Sequence, residues 1–198
     1  MSFTDNFGNP KGIIGRMMLV TMEREHLPMA KWALEKLEIP QEGYILDIGC
    51  GGGYNIKRML QMSDNGRFIG LDISEESVRK AKKINSGEIG KRVKILQGSA
   101  ENLPCKPDSL SLVTAFETVF FWNDVDTAFA SIYNCLKKGG SFAAINNYGD
   151  PDIDWEKKVP CMTRYTAEEL KEKMELAGFT DITADKKDNL FMVCGKKA

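Results

Sequence analysis

Short apolar runs alternate along this chain with stretches in which apolar residues recur every third or fourth position. The runs are Ile45 to Ile48, Phe68 to Ile73, Val93 to Leu96, Leu110 to Phe116 and Ser141 to Asn146, and each has the length and composition of a buried strand. Between them the helical spacing predicts helices from Asn55, over Glu75 to Lys83 and over Val125 to Leu136. The last of these is expected to stop at Lys137-Lys-Gly-Gly140, where basic residues precede glycine. Strand and helix in turn imply an α/β fold, a parallel sheet with helices on both faces. A further amphipathic helix over Thr166 to Ala177 opens with the capping box Thr166-x-x-Glu169, and Gly178 then leads into two strand-like runs, Thr180 to Ala184 and Leu190 to Cys194, that flank a polar turn.

Ahead of the first strand the pattern predicts two extra N-terminal helices. Ile13, Ile14, Met17, Met18 and Met22 mark the apolar face of one. A second is expected to start near Pro28, which suits a first helical turn, to bury Trp32, Ala33 and Leu37, and to end before Pro40. The sole histidine, His26, falls between the two, where capping or packing is the favoured role over catalysis. Residues 1 to about 10 are polar and are expected to be mobile. At 198 residues, 42% of them hydrophobic, the chain is long enough for one well-buried core, so residues 1–198 are read as one domain: a helical cap over 1–40 and a core over 41–198.

The chemistry is concentrated at the end of the first strand. Residues 45 to 53 read Ile-Leu-Asp-Ile-Gly-Cys-Gly-Gly-Gly, an apolar strand with one acid running into a glycine-rich turn and then a helix. Such a turn lets a nucleoside lie against bare main chain at the C-terminal edge of a sheet. A dinucleotide fold would carry glycine where Tyr54 stands, and no Lys-Ser or Lys-Thr pair supplies a P-loop, so a nucleoside without a phosphate fits better than a nicotinamide dinucleotide. Asp72 ends the next strand 19 residues after Gly53, about where an acid meets a ribose diol.

Four segments in order and at the right spacing, Leu46-Asp-Ile-Gly-Cys-Gly-Gly-Gly53, Gly70-Leu-Asp-Ile-Ser74, Gln97-Gly-Ser-Ala-Glu-Asn-Leu-Pro104 and Leu112-Val-Thr-Ala-Phe-Glu117, make the chain resemble the class I S-adenosylmethionine-dependent methyltransferases, specifically the small bacterial methyltransferase-domain group. The resemblance covers about the whole chain. It implies a Rossmann-like seven-stranded, mostly parallel sheet closed by an antiparallel C-terminal hairpin. It implies S-adenosylmethionine as cofactor, with S-adenosylhomocysteine as product. By resemblance, Asp47 holds the loop and the methionine amino group, directly or through water. Gly49, Cys50, Gly51 and Gly53 present main chain, with Asn55 opening the helix behind them. Asp72 takes the ribose beside Ile73, Ser99, Ala100 and Glu101 meet the adenine, and Phe116, Glu117 and Thr118 lie near the sulfonium. Many relatives place an aspartate where Ser99 stands, so main-chain contacts at Ala100 and Glu101 are expected to carry more of the adenine recognition.

The acceptor is less constrained. Phe121 and Trp122 are candidates to stack a planar acceptor or hold a cation, although aromatic residues beside a strand are more often core. Asn147, Arg164 and Tyr165 are candidates on a cover after the fifth strand, alongside Tyr148 and Trp155. Asn146-Asn-Tyr148 only superficially matches the Asn/Asp-Pro-Pro-Tyr signature of amino-group methylation, since it lacks the prolines and follows the wrong strand. No residue must be a general base.

Composition narrows the partners. A net charge of -1, from 27 basic and 28 acidic residues, provides no field for gathering nucleic acid, so a small-molecule methyl acceptor is expected and a nucleic-acid partner is not. Five dispersed cysteines without a C-x-x-C pair point to neither a metal site nor a disulfide framework, and Cys50 reads as a small loop residue. No apolar stretch is long enough to span a membrane, which predicts a cytoplasmic protein. Two alternatives stay open: a non-catalytic protein that keeps the fold for interaction, and methylation of a protein or RNA through a partner. The oligomeric state is not readable from the sequence.

Overall fold

A computed structural model describes residues 12–148, 154–159 and 161–198, and of 12–22, 155 and 156 the backbone alone. The polar first ten residues, the apolar face formed by Ile13, Ile14, Met17, Met18 and Met22, and the Trp155 side chain lie outside the described part. The elements run α1 (Gly12–Lys36), β1 (Tyr44–Ile48), α2 (Tyr54–Leu60), β2 (Arg67–Asp72), α3 (Glu75–Ile84), β3 (Val93–Gln97), β4 (Leu110–Phe116), a single 3-10 turn (Val119–Phe121), α4 (Val125–Cys135), β5 (Leu136–Asn147), a short α5 (Trp155–Lys158), α6 (Ala167–Leu176), β6 (Thr180–Lys187) and β7 (Leu190–Lys196).

The seven strands form one sheet in the order β3-β2-β1-β4-β5-β7-β6. Strands β1 to β5 pair in parallel and β7 pairs antiparallel with both β5 and β6. Central parallel strands are buried on both faces, which is why they read as unbroken apolar runs. The alternation shows in the core: Leu46, Ile48, Val113, Ala115 and Phe142 belong to one apolar cluster, and Ile45, Leu112, Phe116 and Ala143 to the other. Strand order reverses direction between β1 and β4, so a crevice opens there at the carboxyl ends of the strands.

Three expectations change. The N-terminal segment is one helix, not two, and Pro28 lies inside it. A proline there removes one helical hydrogen bond, a loss of about 3 kcal/mol in an exposed helix. Burial of Met29, Ala30, Trp32, Ala33 and Leu34 on the following turns offsets it. Lys137 to Gly140, expected as a helix stop, instead begins the long strand β5; α4 already ends at Cys135. The pairing register of β4 and β5 shifts between Leu110 and Leu112, and a Cβ on Gly140 would stand 2.8 Å from the Leu110 carbonyl oxygen, so glycine lets the two backbones meet. The hairpin strands also run longer than their apolar runs, to Lys187 and Lys196, because main-chain pairing continues past the last buried side chain.

Helix starts follow local chemistry. The Ser74 hydroxyl accepts from the Ser77 N–H at α3, and the Asp124 carboxylate accepts from the Thr127 N–H at α4. The capping box read at Thr166 and Glu169 is formed at α6, with the Glu169 N–H bonded to the Thr166 hydroxyl and the Thr166 N–H to the Glu169 carboxylate. No helix among the described residues is long and apolar enough to cross a membrane.

Candidate functional site

The glycine turn after β1 is built from the backbone outward. The N–H groups of Gly49 and Cys50 both donate to the Leu71 carbonyl, at 2.7 and 3.0 Å, and the Gly51 N–H donates to Asp72 Oδ2 at 2.8 Å. This folds the turn over the end of β2. Gly49 has φ 67°, and a Cβ there would lie 2.1 Å from Thr118 Oγ1, so no other residue fits without moving the turn after β4. Gly53, with φ 75°, sits at the start of α2, where the Asn85 side-chain amide donates to its carbonyl at 2.9 Å and would stand 2.6 Å from an added Cβ.

A cleft of roughly 1070 Å³, part of it open to solvent, lies over this turn. Ile48, Gly49, Cys50, Gly51, Asn55, Asp72, Ile73, Ser99, Ala100, Glu101, Phe116, Glu117 and Thr118 line it, so the turn, the end of β2, the segment after β3 and the end of β4 meet at one place. Asp47 and Gly53 stand just outside the lining. Asp47 is buried one residue inside β1 and accepts from Thr114 Oγ1 at 2.8 Å across the β1–β4 seam. Of the residues considered for the acceptor, Phe121 and Trp122 line the cleft, whereas Asn147, Arg164 and Tyr165 do not. The Asn147 N–H donates to the Glu117 carboxyl. The Arg164 guanidinium donates to the Tyr148 carbonyl, and Tyr165 is half-buried against the core. Of the aromatic run, Phe120 points into the core and Trp122 rests on Phe129 and Phe142, with ring centroids 6.1 and 6.5 Å apart.

The N-terminal cap supplies two cleft residues that the sequence did not single out for the site. Glu23 and His26 line the cleft, and Glu23 pairs with Arg58 of α2. Burial holds the His26 imidazole below its ordinary value, so it is neutral in the folded protein. No local motif marks these residues: a helix packed against the sheet brings them to the cleft from outside every motif segment.

The electrostatics have one sign. Burial pushes the Asp47 carboxyl up to about 7, with Thr114 opposing and Asp72 adding to the rise, and burial pushes Glu117 up to about 8. Asp72 is also raised by burial, against the hydrogen bonds from Ser74 and Gly51. Cys50 is held well above the ordinary thiol range, which makes it a packed loop residue and not a nucleophile. Buried carboxyls with no opposing cation among the described cleft lining suit a ligand that brings positive charge, and an acid at a strand end beside bare main chain suits a nucleoside. S-adenosylmethionine carries both a sulfonium and an amino group. The described residues contain no cluster of His, Cys, Asp and Glu able to hold a metal ion.

An open α/β sheet with a glycine turn and a ribose-type acid at its switch point defines a nucleoside-cofactor enzyme. Residues 46–144 match the family model described as the methyltransferase domain, and the chain belongs to that family. It is similar to the uncharacterized methyltransferase YdaC of Bacillus subtilis (strain 168), 28% identical over 162 residues, or 81% of this chain and 84% of the relative. Among solved structures it is similar to a chain of the complex between the Haloferax volcanii Trm112 methyltransferase activator and a methyltransferase, with TM-score 0.78, 23% identity and coverage of 90% of this chain and 93% of the other. It is also similar to the Haemonchus contortus phosphoethanolamine N-methyltransferase 2 bound to S-adenosylmethionine, with TM-score 0.81 and 16% identity over 100% of this chain and 60% of that one. The protein is an S-adenosylmethionine-dependent methyltransferase.

Proposed function

We propose that the enzyme methylates a small molecule by direct in-line displacement, within the cleft between the sheet edge and α1. The observation that carries this reading is the composition of the cleft: besides the cofactor-type residues its walls include Glu23, His26, Tyr54, Phe121 and Trp122, with neither Lys nor Arg among the described lining. A surface meant for nucleic acid would carry cations for phosphates.

Each wall has a part. Asp72 accepts from the ribose hydroxyls while its hold on Gly51 and Ser74 keeps the turn in shape. Main chain at Gly49, Cys50, Gly51 and Gly98 allows close approach, and Ile73, Ser99, Ala100 and Glu101 frame the base. Glu101 does this from a fixed position, since Oε1 accepts from the Asn123 N–H at 3.0 Å. Asp47, Asn55, Phe116, Glu117 and Thr118 surround the methionine end. When bound, S-adenosylmethionine supplies an electrophilic methyl group and leaves as S-adenosylhomocysteine. The protein's work is alignment, exclusion of water and disposal of the acceptor's proton.

Thermal unfolding with S-adenosylhomocysteine, S-adenosylmethionine, NADH and no ligand tests the cofactor half. Ligand at about 100 times its dissociation constant adds about 2.7 kcal/mol and raises the midpoint by roughly 5–10 °C for the first two only. A subsequent release of S-adenosylhomocysteine with small-molecule acceptors tests the other half. Binding without turnover on any small acceptor, and turnover on a protein or RNA from the same cell, would overturn the small-molecule reading.

A further inference from the structure

Four carboxyl groups line the cleft, Glu23, Asp72, Glu101 and Glu117, and three of them are already engaged. Glu23 is paired with Arg58. Asp72 uses its two oxygens on the N–H groups of Gly51 and Ser74, at 2.8 and 2.9 Å. Glu101 Oε1 holds the N–H of Asn123. Glu117 differs. One side of its carboxyl is met by the Asn147 N–H, while Oε1 is sealed from solvent and has no hydrogen-bond partner among the described residues. Its backbone is also held in the left-handed region, at φ 55°, which disfavours any residue with a Cβ. The Glu117 N–H is bonded to the Ile145 carbonyl at 2.8 Å, so β5 keeps the strained residue in place and fixes where its side chain starts.

Strain, burial and an orphan acceptor at one residue together favour a bound group that donates to Oε1. The neighbourhood decides its charge. Among the described lining there is no Lys or Arg; of the described cations nearby, Arg58 is bound to Glu23 and Asn55, and the buried Lys80 ammonium lies outside the lining, over the Tyr54 ring at 5.3 Å. His26 is neutral. The aromatic rings of Phe121 and Trp122 share the lining with Glu117, and ring faces attract cations. A carboxylate or phosphate held against Glu117 would keep Oε1 without a donor and would raise the cost of ionising its carboxyl further.

We infer that the methyl acceptor is a small primary or secondary amine, admitted as its ammonium form with its carbon frame against Phe121 and Trp122 and with an N–H donated to the Glu117 carboxyl, which turns its sealed Oε1 toward the cleft to receive it. This rests on the small-molecule reading above and names its substrate class. The bound ammonium favours the ionised form of Glu117; the carboxylate then takes one proton from the ammonium, the freed nitrogen lone pair forms the new N–C bond, and the breaking C–S bond leaves its electron pair on sulfur. Product is the methylated ammonium ion, S-adenosylhomocysteine and a neutral Glu117. A carboxyl in its ordinary range would favour the ammonium over the free amine by about a millionfold, given an amine near 10.4. With Glu117 pushed up to about 8 that ratio falls to a few hundred.

Benzylamine, benzyl alcohol and benzoate are nearly isosteric probes that separate cation, neutral donor and anion. Titrated by calorimetry into protein saturated with S-adenosylhomocysteine at about pH 8, benzylamine is expected to bind at least about tenfold more tightly than benzoate or benzyl alcohol. Glu117→Gln, compared at the same cofactor saturation, is expected to weaken benzylamine by about 10- to 100-fold and to leave the other two within about threefold. The ranking is read on the wild-type protein, so it stands even if the variant folds poorly. Benzoate or benzyl alcohol binding as well as benzylamine, no benzylamine binding at all, or benzylamine binding untouched in a folded Glu117→Gln protein would each overturn the amine assignment. If S-adenosylhomocysteine itself failed to bind, the methyltransferase reading of this cleft would fall with it.

Discussion

Asp72 was expected from the sequence to hold a ribose, and the structure adds a second duty that changes what its removal should do. The carboxylate is buried, 8% exposed, and accepts from the N–H groups of Gly51 at 2.8 Å and Ser74 at 2.9 Å. It therefore ties the glycine turn to the first turn of α3. Asp72→Ala leaves both donors without an acceptor. Asp72→Asn is no milder despite its matching size, because its carbonyl can satisfy one donor while its amide group faces the other N–H with an N–H of its own. A buried donor left unmet costs about 1–3 kcal/mol, and two of them would total about 2–6. Part of this is offset because burial already raises the Asp72 carboxyl, so removing the charge relieves its desolvation. A net loss of about 1–2 kcal/mol remains, which lowers the unfolding midpoint of the unliganded protein by roughly 3–7 °C.

The cofactor affinity should fall further, because the turn loses its shape and the ribose loses a charged acceptor worth about 1.5–3 kcal/mol, or about 10- to 150-fold in dissociation constant. Differential scanning of the free proteins and calorimetry with S-adenosylhomocysteine read the two effects separately. An Asn variant whose affinity stays within about threefold of wild type, with its midpoint within about 1 °C, would refute both the ribose assignment and the bracing argument.

Gly49→Ala should lower the midpoint by several degrees and weaken S-adenosylhomocysteine by more than about tenfold, since the new Cβ meets Thr118 Oγ1 and the φ of 67° is unfavourable besides; normal binding measured by calorimetry would show that the turn is not where the cofactor lies. Glu117 and Asp47 are both held neutral by burial, so the stability they lend is complete below about pH 4, where the unfolded carboxyls are protonated too, and is lost as pH rises through about 7 for Asp47 and about 8 for Glu117. His26, held low by burial, acts in the opposite sense only below about pH 6.5, so the window above that isolates the acids. From pH 6.5 to 8 Glu117 alone should remove about 2 kcal/mol, or roughly 4–8 °C, and Glu117→Gln should flatten that part of the profile; equal slopes in the two proteins would contradict it. Phe129→Ala removes a fully buried ring that packs edge-on to Phe142 at 5.2 Å and supports Trp122, so a loss of about 3–5 kcal/mol and a midpoint lower by about 10 °C are expected, checked by chemical denaturation.

The part of the cleft around the glycine turn was legible because its residues are local to strand ends. A glycine turn must follow β1 directly for main chain to approach a ligand there, and the acid at Asp72 must close β2, so both leave fixed spacings in the sequence. The strands were legible for a related reason: parallel strands buried on both faces cannot hide their apolar runs. The misread elements are those where long-range packing outweighed a local signal. Pro28 looked like a helix start, but its neighbours Met29, Ala30 and Ala33 are buried, and packing keeps one helix continuous through it. Lys137-Lys-Gly-Gly140 looked like a helix stop, yet the close approach of β4 made it a strand.

The acceptor half could not be read in the same way, for a reason that bears on where its specificity lies. Glu23 and His26 come from α1, Glu117 from the end of β4, and Phe121 and Trp122 from the 3-10 turn and its C-terminal cap; no spacing ties them together. The segment ending at Glu117 pointed to the cofactor; what marks Glu117 for a further ligand is its circumstances: a non-glycine residue at φ 55°, an oxygen sealed from solvent without a partner among the described residues, and a carboxyl raised by burial. Each of these is unfavourable for an unliganded protein, and local sequence preference would select against them at a plain strand end. Their coincidence beside the cofactor turn is therefore best accounted for by a bound group that uses the oxygen, and not by the fold, which would be more stable with Gln or Gly at this position. Glu117→Gln should accordingly be at least as stable as wild type at about pH 8 while binding amines more weakly, a pairing of effects that a purely structural Glu117 would not produce.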